Sequence, residues 1–123
     1  MKALNRAEVE DLPIYQHYRR MGRSDRCVYV AVEALHEAMN GLPADLDPSE
    51  PLTNHIEYST VDSEFDWFWI GTVTRLARLF QEKDATVEQR LNALEPSKVE
   101  TFDDYFDLIF RYLDRLAAEN RTP

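Results

Sequence analysis

Cys27-Val-Tyr-Val-Ala-Val-Glu-Ala-Leu-His-Glu-Ala-Met39 is the stretch that decides the class of this fold. Its first six residues have the composition of a strand, since valine and tyrosine favour a pleated, half-buried surface. Val28, Ala31, Val32, Leu35, Ala38 and Met39 nevertheless recur at i, i+3, i+4 and i+7, the period of an α-helix. That pattern outlasts an ordinary strand. Ser24 is a fitting N-cap ahead of it, and Asn40-Gly41 stops it. The stretch reads as helix.

Working outward, Leu12-Pro13 opens a short helix with proline at the first helical position. Ile14, Tyr15, Tyr18 and Met21 share one side of it, and Gly22 closes it if left-handed. Downstream, a helix starts near residues 60–63 and runs to about Glu82, with Phe65, Trp69, Val73, Leu76 and Phe80 as its stripe. Thr86 with Gln89 predicts a capping box for a shorter helix whose Val87, Leu91 and Leu94 face inward, ended by Pro96. Ser97 with Glu100, or Thr101 with Asp104, caps the last helix. Its stripe is Phe102, Tyr105, Phe106, Ile109, Tyr112, Leu113 and Leu116. Strand-like alternation is nowhere sustained. The expectation is an all-α compact bundle of about five helices, one helical domain over residues 1–123. A long proline-containing loop at about 41–60, with prolines at 43, 48 and 51, is its main excursion.

The chain has 123 residues, 44% of them hydrophobic, enough for a core without metal or disulfide staples. A single cysteine, Cys27, cannot form an internal disulfide. No apolar run approaches the roughly 20 residues of a membrane span. The opening MKALNRAEVEDLP has no apolar segment of the secretory kind. A soluble, cytoplasmic protein is expected.

Chemistry finds little to use. Cys27, His17, His36 and His55 show no metal-ligand spacing. Glu33-Ala-Leu-His36 is one Glu-x-x-His, the dyad that di-iron bundles use twice, and on a helical wheel Glu33 falls opposite the apolar stripe. An ordinary surface pair is expected. Cys27 sits at a helix start near Arg23 and Arg26, which favours a thiolate, but the wheel places it on the buried side as a small hydrophobe. Glycines at 22, 41 and 71 are too isolated for a phosphate loop. The reading contains no catalytic residue, no cofactor and no metal.

Charge is laid out unevenly. Net charge is −9, yet no lysine or arginine occurs between Arg26 and Arg75. Nine acids lie there: Glu33, Glu37, Asp45, Asp47, Glu50, Glu57, Asp62, Glu64 and Asp66. The remainder is balanced, so this stretch carries the whole net charge. Such a field repels nucleic acid and membranes and steers basic partners inward. The first 26 residues invert it, with Arg19, Arg20, Arg23 and Arg26 in a group. Pairing with the acidic stretch, inside the fold or across a dimer, is the simpler reading than nucleic-acid contact.

Trp67 adds an aromatic clue. It lies on the face of its helix that holds Gly71, Thr74 and Arg78, and a tryptophan over a glycine has hot-spot composition. Phe110 likewise sits off the stripe of the last helix. These features predict a non-catalytic protein acting through protein–protein binding, an inhibitor or regulator of a larger partner with a basic surface. Trp67, Gly71, Thr74 and Arg78 would form the contact, while Asp45, Asp47, Glu50, Asp62, Glu64 and Asp66 steer association. A nucleic-acid mimic occupying a DNA-binding cleft ranks below it, as does a regulator binding nucleic acid through the N-terminal arginines. Aromatic-rich stripes on short helices also predict a homodimer.

Overall fold

A computed structural model describes residues 4–56 and 63–120, with side chains at 4–56 and 67–119. Six helices follow one another: α1 (Arg6–Asp11), α2 (Pro13–Arg20), α3 (Asp25–Met39), α4 (Ser63–Phe80), α5 (Asp84–Asn92) and α6 (Phe102–Asn120). Two 3₁₀ turns, Leu52–Asn54 and Pro96–Lys98, interrupt the connections. The fold is an all-α bundle, and among the described residues it has no strand. The short α1 is a sixth helix beyond the expected five, capped by the Asn5 side chain on the Glu8 N–H at 2.8 Å.

The helix whose composition looked like a strand is the centre of the bundle. Every residue of α3 from Val30 to Leu35 is buried, because α2, α4 and α6 all pack around it. A helix covered on all sides needs no polar face, which is why β-branched residues crowd CVYVAV. Its ends follow the sequence signals. Ser24 Oγ accepts from the Cys27 N–H at 3.3 Å, and Asn40, left-handed at φ 55°, caps the other end. Gly22 is left-handed as well, at φ 95°, and turns the chain from α2 into α3.

Two expectations on these elements need correction. Glu33 does not lie on a surface; it is 4% exposed and ion-paired with Arg75 of α4. The wheel assumed a single apolar stripe, whereas α3 is covered around its circumference. Cys27 is half-buried against the core rather than fully inside it.

Helix α6 is the second pillar, with its whole expected stripe buried. Phe110 is buried too, packed against Tyr18 and Phe106 and under the Arg23 guanidinium, so it is a core residue. The Tyr18 ring stacks on Phe106 at 4.6 Å, and its hydroxyl donates to Asp103 Oδ1 at 2.6 Å. Thr72 of α4 and Tyr105 of α6 satisfy each other's hydroxyls at 2.9 Å inside the core. Of the two caps proposed for α6, Thr101 with Asp104 is the one formed. Thr101 Oγ1 accepts from the Asp104 N–H at 3.1 Å, and Asp104 Oδ2 accepts from the Glu100 and Thr101 N–H groups at 3.0 and 3.1 Å. Thr86 caps nothing: α5 begins earlier, at Asp84, with Lys83 as an N-cap that makes no side-chain bond.

The long loop is an ordered excursion over its described part, residues 41–56. Leu46, Leu52 and Ile56 are buried in the core. Backbone bonds tie it to the start of α6: Leu52 N–H to Glu100 O at 2.8 Å, Phe102 N–H to Glu50 O at 3.1 Å, and Asp103 N–H to Pro48 O at 2.8 Å.

Candidate functional site

Trp67 is 68% exposed and Ile70, one turn on, is 51% exposed. They are large apolar side chains presented together on the solvent side of α4. Their neighbours explain the geometry: Phe68, Thr72 and Leu76 take the inward side of the same helix and are fully buried. A helix already anchored through Phe68 and Leu76 gains nothing for folding from a free tryptophan.

The other residues expected around Trp67 have different roles. Gly71 does not offer a seat to a partner. A β-carbon on it would come within 2.8 Å of the Ala38 α-carbon, so its missing side chain lets α3 and α4 cross closely. The sequence signalled a close approach correctly but not whose backbone makes it. Arg78 is 3.9 Å from Glu37 of α3 with most of its side chain in solvent. Thr74 is half-buried and borders a cleft described below.

The acidic residues divide similarly. Asp45 and Asp47 are exposed on the loop. Hydrogen bonds from the Ser49 backbone and hydroxyl hold the Asp47 carboxyl below the usual carboxylate range. Glu50 is paired with His55 at 2.7 Å. Asp62 lies outside the described residues, and so do the side chains of Glu64 and Asp66. Glu33 and Glu37, counted in the same acidic stretch, are turned toward Arg75 and Arg78.

Among the described residues, the N-terminal arginines make no ion pair with that stretch. Arg23 lies over Phe110 at 4.6 Å and 3.8 Å from Asp114, and Arg26 lies over Phe80 at 5.9 Å. Arg19 donates to the Arg23 carbonyl at 3.0 Å. These residues flank the start of α3, about 10–17 Å along the helix from Glu33 and Glu37, which α4 reaches instead.

A cleft of about 480 Å³ runs between α4 and α5. Trp69, Ile70, Val73 and Leu91 form its apolar lining, and Asp84, Glu88 and Asn92 stand exposed along its α5 edge. The i, i+4, i+8 spacing of those three polar residues was a legible signal for a shared edge. Which helix lies opposite was not legible.

Among the described residues no group of three or more His, Cys, Asp or Glu side chains could hold a metal ion, and no helix is long and apolar enough to cross a membrane. No protein-family model, no curated protein and no solved structure matches the chain.

Proposed function

We propose that this protein is a non-catalytic binding module that engages a larger protein through the exposed face of α4, acting as an inhibitor or regulator of that partner. The exposure of Trp67 beside Ile70 carries the reading. Two large apolar side chains on one turn are costly to leave in water, and buried tryptophans are the commonest anchors of protein interfaces. Exposed Asp45 and Asp47, within a chain of net charge −9, support a basic surface on the partner. Imitation of nucleic acid ranks lower, because Glu33 is buried and Glu37 faces Arg78 rather than solvent alone.

The test is capture of partners from the native host by the protein and by Trp67→Ala, read by mass spectrometry. One stoichiometric partner, kept by the wild type and lost by the variant, is the expected result. The variant should unfold within about 0.5 kcal/mol of wild type, as exposed substitutions do. Equal retention by both proteins would overturn the anchor. Self-association through the same α4 face is the competing occupant, and light scattering at micromolar concentration tests it directly. A dimer dissolved by Trp67→Ala would make the second copy the partner.

A further inference from the structure

We infer that the cleft between α4 and α5 receives an amphipathic helix whose apolar stripe is edged by lysine or arginine, presented by the partner protein. This rests on the protein-binding reading and specifies the chemistry of what is bound.

The cleft is a trough with an apolar floor and an acidic edge. Val73, Leu91 and the ring of Trp69 supply the floor, and Ile70 rises at one side, half in solvent. Such a floor suits the i, i+3/i+4, i+7 anchors of a docked helix. From Asp84 to Asn92 the α5 edge is about 12 Å long, which spans roughly two turns of an occupant.

The edge settles the sign of the occupant's charge. The charged residues lining the cleft, Asp84 and Glu88, are both acidic and both exposed, and the ion pairs among the described residues include neither. Asp84 has a local reason to be acidic, because it stands in the first turn of α5 where the helix dipole favours a carboxylate. Glu88 has no such reason. One turn further on, it repels Asp84 across an i, i+4 spacing, which weakens an isolated helix slightly. A basic residue on the occupant would relieve that repulsion, and two of them, one turn apart, would neutralise both groups. An acidic occupant would add further like charge beside Asp84 and Glu88, a repulsion that salt weakens.

Two synthetic peptides of about 18 residues make the probe. Both carry one leucine stripe at helical spacing; lysine flanks the stripe in one and glutamate in the other. Backbone amide shifts of the protein report where each binds, and titration gives affinity. The lysine peptide is expected to move Ile70, Val73, Thr74, Leu91 and Asn92, with at least about tenfold tighter binding than the glutamate peptide. Glu88→Lys, an exposed change that leaves the core untouched, should narrow or reverse that preference. Equal affinity of the two peptides would overturn the inference, and so would shifts confined to residues outside the cleft. If Trp67→Ala loses its cellular partner while both peptides leave the cleft unshifted, the protein-binding reading stands and this inference falls. If the lysine peptide fills the cleft but Trp67→Ala keeps every partner, the cleft stands and the tryptophan anchor falls.

Discussion

Gly71 meets Ala38 backbone to backbone: a β-carbon on the glycine would lie 2.8 Å from the Ala38 α-carbon, 3.1 Å from the Glu37 carbonyl oxygen and 3.2 Å from the Ala38 nitrogen. None of these atoms can swing aside as a side chain would. Gly71→Ala should therefore destabilise the protein even though alanine favours helix by about 1 kcal/mol. Overpacking costs about 1–3 kcal/mol, and against unyielding backbone the upper part of that range applies, for a net loss of up to about 2 kcal/mol in urea unfolding. A variant more stable than wild type would show that α3 and α4 are not held at this separation.

Glu33 and Arg75 form a second link between the same two helices, with the carboxylate buried and the guanidinium partly in solvent. Breaking one side strands a charge. Glu33→Gln should cost about 3 kcal/mol, at the low end for buried pairs because Arg75 still reaches water. Replacing both residues by leucine should recover most of the loss. A double variant no better than the single one would mean that the pair does more than cancel its own desolvation.

The cap of α6 gives a stability term with a defined pH window. Burial pushes the Asp104 carboxyl up, but hydrogen bonds from the Glu100 and Thr101 backbones and the Thr101 side chain outweigh it and hold the group below its ordinary value. A depressed folded pKa contributes stability that is present above the unfolded value, near 3.8, and is lost as pH falls through the folded value. Asp104→Ala should cost about 1 kcal/mol at neutral pH. The gap between wild type and variant should then close below about pH 4. A gap unchanged into strong acid would contradict the capping role.

At the alkaline end the phenols of Tyr18, Tyr105 and Tyr112 are all pushed up, chiefly by burial. Asp103, which accepts the Tyr18 hydrogen bond, adds to that shift. A raised folded pKa contributes stability below the unfolded value, near 10, that is lost as pH climbs toward the folded value. The protein should therefore lose stability above about pH 10, and part of its phenolate absorbance should appear only as helicity disappears. Smooth ionisation of all six tyrosines in a fully helical protein would contradict the burial of these three.

Helix boundaries were legible wherever the signal was local. Ser24, Pro13, Gly22, Asn40 and the Thr101–Asp104 pair all act within a turn of where they stand in the chain, so their roles follow from spacing alone. Thr86 misled because its capping pattern competes with Asp84, two residues earlier, which is equally able to begin a helix. Trp67 was legible as an outlier on a polar face. Gly71 was legible as a close approach, but the approaching backbone is 33 residues away in sequence.

What the sequence determined by itself is the class of the protein: periodicity and caps make it helical, and composition gives it a core and a net negative charge. Periods and caps are readable from residues within a few positions of one another, and composition and charge are sums over the chain that no contact alters. Tertiary structure decided which faces stay open. It surrounded α3 so completely that Glu33 became a buried partner of Arg75, and it used Gly71 to seat α4 against α3. It also laid α5 beside Ile70 and Val73 to leave an acid-edged cleft. Each of these depends on two helices meeting at one angle and register, and no single helix carries that information in its own period.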